Sequence, residues 1–262
     1  MELSITKIKA FKSCRRLYEL RYIEGIKPAE KTEALEIGSN YHKLLEELNV
    51  NGMIPGSYCD YSKEMAMAKA YYKYIYPRFH VVAAEKRLEY DLGGGDKLIG
   101  IVDGIADDGC IVEHKSAGVD ITESYEYNLQ WDEQILAYML MTGLRKVHYT
   151  ICRKPTIRQK QNESDEEFYE RMVAWYDEDT ESKIRLLEIE RSDAEVNIFR
   201  DELQTMLKVM KEAELTPGRF YKNTCHCNIY GRRCEYSSIC LHYDPDQEYL
   251  EFVKETKETK ET

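Results

Sequence analysis

The stretch GIVDGIADDGCIVEHKS, residues 100–116, decides how the rest of the chain is read. Two apolar runs flank Asp-Asp-Gly, a turn signal, so the segment predicts two strands of a hairpin. Those runs nevertheless carry Asp103, Glu113 and Lys115. Charged side chains at half-buried strand positions are costly unless they are paired, hydrogen-bonded or bound to a metal. Residues two apart on a strand share a face, so Glu113 and Lys115 point one way, and Val112 and His114 the other. A hairpin of this length can bring Asp103 beside Glu113. Two converging carboxylates suit a hard cation such as Mg²⁺ or Mn²⁺, which lowers the pKa of a bound water and neutralises charge on a phosphoryl group. Lys115 could position that water or stabilise developing negative charge. Taken alone, the pattern is weak and fits an exposed hairpin whose Glu113 and Lys115 are solvated partners.

Working outward, residues 81–92, 97–105 and 110–116 read as a three-stranded meander separated by Gly-Gly-Gly-Asp and Asp-Asp-Gly. The period before it is helical. Ile8, Phe11, Leu17 and Leu20 to Tyr22 mark a first helical stretch, and Ile37, Tyr41, Leu44, Leu45 and Leu48 a second that ends near Asn51-Gly52. A third helix runs from about Ser62 to Tyr76 and stops at Pro77. After the meander come a helix over 125–141 closed by Gly143, a strand over 146–154, an acidic helix over 164–180 and a strand over 183–191. A last helix, capped by Asp193, reaches about Ala213. The fold class is α+β, a central mixed β-sheet flanked by helices.

Bulk properties narrow the classes. At 262 residues and 43 % hydrophobic the chain can bury a core. It has no apolar run long enough to span a membrane and no signal-peptide h-region, so a cytoplasmic protein is expected. Four of eight cysteines crowd into 225–240, which points to metal binding rather than a disulfide framework. A net charge of −11 argues against a surface coated in basic patches. The charge is uneven, however: residues 163–181 hold nine acids and one arginine, while RKPTIRQK (153–160) holds four bases and no acid. That stripe can bind phosphates or be a solvated loop. The tyrosine-dense AYYKYIYPRF (70–79) is a packed helix face or a base-stacking surface. No G-x-x-x-x-G-K-[ST] is present, so any unwinding would need another protein.

Gly100-Ile-Val-Asp103 followed by Ile111-Val-Glu113-His-Lys115-Ser116 resembles the PD-(D/E)xK nuclease superfamily, in its RecB-type branch. Three further matches keep the family order. Gly38-Ser-Asn-Tyr-His42 resembles the Gly-x-x-x-His motif, whose histidine joins the metal site. Gln134-Ile-Leu-Ala-Tyr138 resembles the Gln-x-x-x-Tyr helix motif, whose two polar residues share a face and could fix the lysine or contact DNA. Glu85 matches an upstream acidic position. Singly, His42 could be a structural residue, Gln134 and Tyr138 the polar edge of a helix, and Glu85 a surface residue. Together they imply a restriction-endonuclease-like α/β core over about residues 4–242. His42, Asp103 and Glu113 would hold Mg²⁺ or Mn²⁺, with Lys115, Gln134 and Tyr138 as further catalytic residues. The implied activity is a DNA nuclease, an exonuclease on single strands or ends, in recombination, repair or viral DNA processing and with a helicase or recombination partner. The rival is a non-catalytic nucleic-acid-binding or assembly subunit that keeps the fold. The intact Asp103, Glu113 and Lys115 weigh against it.

CHCNIYGRRCEYSSIC (225–240) and the distant Cys14, in FKSCRRLY, complete the pattern. Four thiolates can hold zinc or an iron–sulfur cluster. The only close pair is C-x-C, which departs from the usual zinc spacing. The layout resembles iron–sulfur members of the same branch, including AddB-type helicase–nucleases and CRISPR adaptation nucleases, although Arg15 stands where they commonly have proline. The resemblance implies a [4Fe–4S] cluster on Cys14, Cys227, Cys234 and Cys240 that joins the N- and C-terminal segments. Cys225 is the alternative to Cys227, and zinc or metal-free thiols are the alternatives to the cluster. Arg232 and Arg233 could guide DNA across it. Cys59, Cys110 and Cys152 are expected to be packing residues. One domain is expected over 1–245, followed by a charged, disordered tail at 246–262 that ends in KETKETKET.

Overall fold

The alternating runs from Val81 onward do form the strands of a meander. In the computed structural model, which describes residues 1–29, 32–54, 61–216, 218–229, 231–242 and 251–254, the strands are β1 (Glu2–Leu3), β2 (Val81–Gly93), β3 (Asp96–Ala106), β4 (Ile111–Ala117), β5 (Lys146–Arg153) and β6 (Ile184–Glu190). The helices are α1 (Ile5–Ser13), α2 (Glu33–Asn51), α3 (Lys63–Tyr74), α4 (Glu123–Leu129), α5 (Glu133–Thr142), α6 (Asp165–Glu178) and α7 (Asp193–Leu215). Two compact units are distinguished: a core unit of Thr32–Asp91 and Ile99–Arg200, and a clasp unit of Met1–Lys31, Leu92–Leu98 and Asp201–Thr262.

In the core unit β2 pairs with β3, and β3 turns through Gly109 (φ 81°) into antiparallel β4, with Gly104 opposite Val112. The chain then crosses over through α4 and α5, and β5 lies parallel to β4, Val112 beside His148 and Glu113 beside Tyr149. Joining parallel strands requires such a crossover. β6 closes the sheet antiparallel to β5, with Glu188 opposite His148. The sheet is therefore mixed, as expected. Ile111, Val112, Glu113 and His114 are all buried, because β4 is covered on both faces. One cover is built from Ile37, Tyr41, Leu45 and Leu48 of α2, a stripe at helical spacing, with Met67 and Tyr71 of α3 and Trp175 and Tyr176 of α6; Val112 and Cys152 of the sheet join them. The other sets Ile135, Tyr138 and Met139 of α5 against Val102, Ile111, Val147 and Ile151.

Most expected elements form, with boundary shifts of a few residues. Within the core unit one element departs from expectation: the helix over 125–141 is two helices. The chain breaks between Leu129 and Glu133, and Asp132 caps α5, its Oδ1 accepting from the Gln134 N–H at 3.2 Å. The tyrosine-dense stretch divides its roles, with Tyr71 buried and Tyr72, half exposed, stacked on Tyr76 at 5.3 Å. Cys110 and Cys152 are buried, in keeping with packing, while Cys59 lies outside the described residues.

In the clasp unit β1 pairs parallel with Lys97 and Leu98, and Asp96 takes the N-terminal ammonium at 2.8 Å together with Lys211. The first helical stretch is interrupted at Cys14, whose backbone is extended (φ −161°, ψ 118°), before a single helical turn at Arg15–Tyr18. The expected tail needs correcting where it is described: Phe252–Lys254 is a strand, antiparallel to Ile26–Pro28, and Phe252 stacks on Tyr236. Residues 243–250 and 255–262 lie outside the described part. No helix among the described residues is long and apolar enough to cross a membrane.

Candidate active site

Opposite parity on β4 divides two sets of side chains, and the register with β3 brings Asp103 to the same place. Asp103 Oδ2 accepts from the His114 N–H at 2.7 Å, so this carboxylate takes a position a ladder partner would otherwise hold. Its Oδ1 lies 3.5 Å from Nδ1 of His42, presented by α2. Burial works against ionising Asp103, but the neighbouring His42 and His114 outweigh it and hold its pKa below the ordinary value. For His42 burial acts against the charged ring, and Asp103 prevails, raising it. His114 itself is buried against Tyr71, with Nδ1 2.6 Å from Thr150 Oγ1, and burial pushes it down to about 4.

Glu113 is 3 % exposed. Its Oε1 receives Lys115 Nζ at 2.7 Å, whereas Oε2 is buried without a hydrogen-bond partner. An unpaired buried carboxylate oxygen is expensive. Burial, and then the charge on Asp103, push Glu113 up to about 7. A cation between the two carboxylates would remove both penalties, so the donor set fits a hard divalent metal. Glu85 stands at φ +44°, a left-handed conformation uncommon outside glycine. Burial and Asp103 raise its pKa, and the charges of His42 and Glu46 also act on it.

Lys115 is gripped from several sides. Asp132 Oδ2 lies 3.2 Å from Nζ, Gln134 Oε1 3.5 Å, and the Tyr149 ring centroid 5.7 Å. Burial opposes its charge, but Glu113 and Asp132 outweigh that and keep the ammonium protonated. Gln134 Nε2 donates to Tyr138 Oη at 2.8 Å, and Tyr138 donates to the Ile101 carbonyl at 2.5 Å. Two glycines make room for this arrangement. A Cβ at Gly100 would stand 3.1 Å from the Tyr138 ring, and one at Gly38 would stand 3.0 Å from Ser116 Oγ.

His42, Asp103, Glu113, Lys115, Gln134 and Tyr138 are thus brought together, with Glu85 beside them. Sequence reading missed Asp132 and Glu46. Asp132 carries a readable signal, an N-cap aspartate before a helix, but the reach of its second oxygen to Lys115 depends on the break in the helix. Glu46 is one turn beyond His42 on α2, a spacing that was available. Sequence reading also treated the basic stripe as a unit. Arg153 pairs with Asp120 and covers Trp175. Lys154 instead lies beside Gly38 and Ser116, with no carboxylate partner among the described residues, and burial lowers its pKa.

The cysteines give a different result. Cys14, Cys227, Cys234 and Cys240 line one cavity together with Leu17, Asn223 and Tyr236, while Cys225 is exposed outside it. Asn223 N–H donates to Cys14 Sγ at 3.3 Å. The four sulfurs do not close into a ligand set. Among the described residues, the one group of three or more His, Cys, Asp or Glu ligand atoms within 4.8 Å of one another is Asp108, Cys110 and His148. The expected four-cysteine cluster is therefore not formed as such, and zinc at about 2.3 Å from each sulfur would need the thiols closer than they stand.

No curated protein matches the chain. Among solved structures, a phage-related exonuclease of Haemophilus somnus 129PT aligns at 14 % identity, covering 74 % of this chain and 90 % of its own, with a TM-score of 0.36. A Eubacterium rectale protein assigned as an exonuclease aligns at 15 % identity over 95 % of this chain and 90 % of its own, TM-score 0.48. An alkaline exonuclease of Laribacter hongkongensis gives 15 % over 82 % and 95 %, TM-score 0.33. At such scores the likeness carries no argument here. The sequence model is what decides: residues 2–75 and 52–241 match that of the PD-(D/E)XK nuclease superfamily, so the chain belongs to this superfamily.

Proposed function

We propose that the chain is a metal-dependent DNA nuclease that acts as an exonuclease on single strands or DNA ends. The observation that carries it is Glu113, a buried carboxylate whose free oxygen lies in the field of Asp103 beside a fully engaged lysine. Asp103, Glu113 and His42 would hold Mg²⁺ or Mn²⁺. The ion supplies a Lewis acid and a bound water of lowered pKa. Lys115, oriented by Glu113, Asp132 and Gln134, presents a fixed positive charge to the attacking water or the developing phosphorane oxygens. Gln134 and Tyr138 hold that lysine's surroundings in place. Lys154 would receive a backbone phosphate, since it is a partly buried cation without a carboxylate partner among the described residues.

A single strand is favoured by Tyr127 and Trp131, 61 % and 71 % exposed, which form an edge-on pair next to Asp132. Exposed aromatics suit stacking on unpaired bases. The clasp belongs to the same reading: a [4Fe–4S] cluster on Cys14, Cys227, Cys234 and Cys240. Their shared cavity supports it, and their wider separation favours a polynuclear cluster over one zinc.

Degradation of end-labelled single- and double-stranded DNA, by anaerobically purified protein with Mn²⁺, Mg²⁺ or EDTA, tests the proposal. Cleavage should require the metal and fall by about 10²-fold or more in Lys115→Ala. Folded, metal-loaded protein that binds DNA without cutting it would overturn the reading in favour of a binding subunit.

A further inference from the structure

A second constellation lies at the tip of the β3–β4 hairpin, on the opposite face from Glu113 because Cys110 and Glu113 differ in strand parity. Here Asp108, Cys110 and His148 bring a carboxylate oxygen, a thiol sulfur and an imidazole nitrogen within 4.8 Å of one another. We propose that these three residues form a zinc site that pins the hairpin tip to β5.

Ligand chemistry is the first support. Oxygen, sulfur and nitrogen donors together suit a borderline ion such as Zn²⁺ and not Mg²⁺. An ion at about 2.0–2.3 Å from each donor can be reached from atoms within 4.8 Å of one another by small side-chain adjustments. The histidine is the second support. His148 is 4 % exposed, its ring stacked on Phe79 at 4.8 Å and nearly parallel. Nε2 lies 2.7 Å from Asp108 Oδ2, and Nδ1 lies 3.5 Å from Glu188 Oε1 without a good hydrogen bond. A neutral imidazole has one N–H and cannot serve carboxylates at both nitrogens. With zinc on Nε2, the Nδ1–H belongs to Glu188. That is the carboxylate–histidine–metal relay by which an outer carboxylate fixes the tautomer of a ligand. β5 and β6 set Glu188 directly opposite His148, so the relay is built into the sheet.

The loop supplies the rest. Asp108 Oδ1 accepts from the Cys110 N–H at 3.0 Å, which orients the carboxylate while Oδ2 faces the ring. Cys110 is 5 % exposed and Asp108 about half exposed, so the ion would have two buried ligands and an outward side for water or a fourth ligand. Binding would release the Cys110 thiol proton to solvent and shift the single ring proton of His148 from Nε2 to Nδ1, leaving a thiolate, a carboxylate and a neutral imidazole as the ligands. The hairpin held this way is the one that carries Asp103 and Glu113, so occupancy would stiffen the strands beneath the candidate active site.

The test compares full-length wild type with His148→Gln, Asp108→Ala and Glu188→Gln, all stripped with EDTA without oxygen and titrated with Zn²⁺ or Co²⁺. Because the clasp and the candidate active site are unchanged in all of them, the difference isolates this site. Wild type should bind one equivalent more than His148→Gln and Asp108→Ala. Its cobalt form should show more thiolate-to-cobalt charge transfer than that of Cys110→Ser, in which the clasp thiols remain and contribute equally. Glu188→Gln, altered at an exposed outer carboxylate, should keep the equivalent and bind it about 10–100-fold more weakly. Should buried His148→Gln fail to fold, Asp108→Ala reports alone. Equal stoichiometry and identical cobalt spectra in wild type and Asp108→Ala would overturn the assignment.

Discussion

Lys154 shows how a single side chain acquires meaning from its surroundings. Within RKPTIRQK it reads as one of four equivalent bases, yet Arg153 is consumed by Asp120 and Trp175. Lys154, partly buried between Gly38 and Ser116, keeps no carboxylate among the described residues. Replacing it with glutamine should raise KM for DNA about 10-fold at low salt and leave kcat nearly unchanged. The slope of log affinity against log salt should fall by about one. Steady-state kinetics over a salt series checks this, and a fall in kcat alone would assign Lys154 to chemistry instead. Asp103, Glu113 and Lys115 stood out in the sequence through strand alternation, and Gly38 and Gly100 through the family motifs they resemble. Lys154 did not, since a loop residue's neighbours depend on packing that no period encodes.

At the scale of elements, the break between α4 and α5 matters most. It was unreadable from apolar periodicity, which runs on through it, but it gives Asp132 two tasks, capping α5 and holding Lys115. Asparagine caps helices about as well as aspartate, whereas alanine costs about 1 kcal/mol. Asp132→Asn should therefore keep the melting temperature yet lower kcat about 10-fold, while Asp132→Ala should lower both. An unchanged kcat in Asp132→Asn would make the residue a cap only. A second element is fixed by charge. Glu163 takes Arg171 through both oxygens, at 2.7 and 2.8 Å, and the Lys160 N–H at 2.7 Å, tying the loop before α6 to that helix. Arg171 leads the causes that depress Glu163 to about 2. A depressed carboxylate contributes stability that is present above its unfolded value near 4.5 and is lost as pH falls through about 2. The stability gap between wild type and Glu163→Gln, from denaturant melts, should be full at neutral pH and shrink steadily below pH 4.5. A gap that does not change with pH would show that packing, not the ion pair, sets it.

For the whole molecule, order along the chain was easier to read than closure. The mixed sheet and its helices follow from alternation and turn signals, while the partition into two units does not, because Leu92–Leu98 belongs with the chain ends and interrupts the core sequence. The cysteine layout pointed to the right four residues for one cavity but not to the separation of their sulfurs. If those thiols hold a cluster, Cys14→Ser should lose iron and colour and melt lower, by up to about 5 kcal/mol on the chain-entropy model. Cys225→Ser should match wild type in iron content and anaerobic melting. Retention of iron by Cys14→Ser would remove that cysteine from the ligand set. The clasp's composition also bears on how the protein is made. Cys14 leaves the ribosome early, whereas Cys227, Cys234 and Cys240 emerge only after Arg200, the last residue of the core unit. The core can thus begin to fold while Cys14 waits for the three cysteines with which it shares a cavity. A chain interrupted near its end would carry every residue of the candidate active site and yet be unable to assemble its clasp.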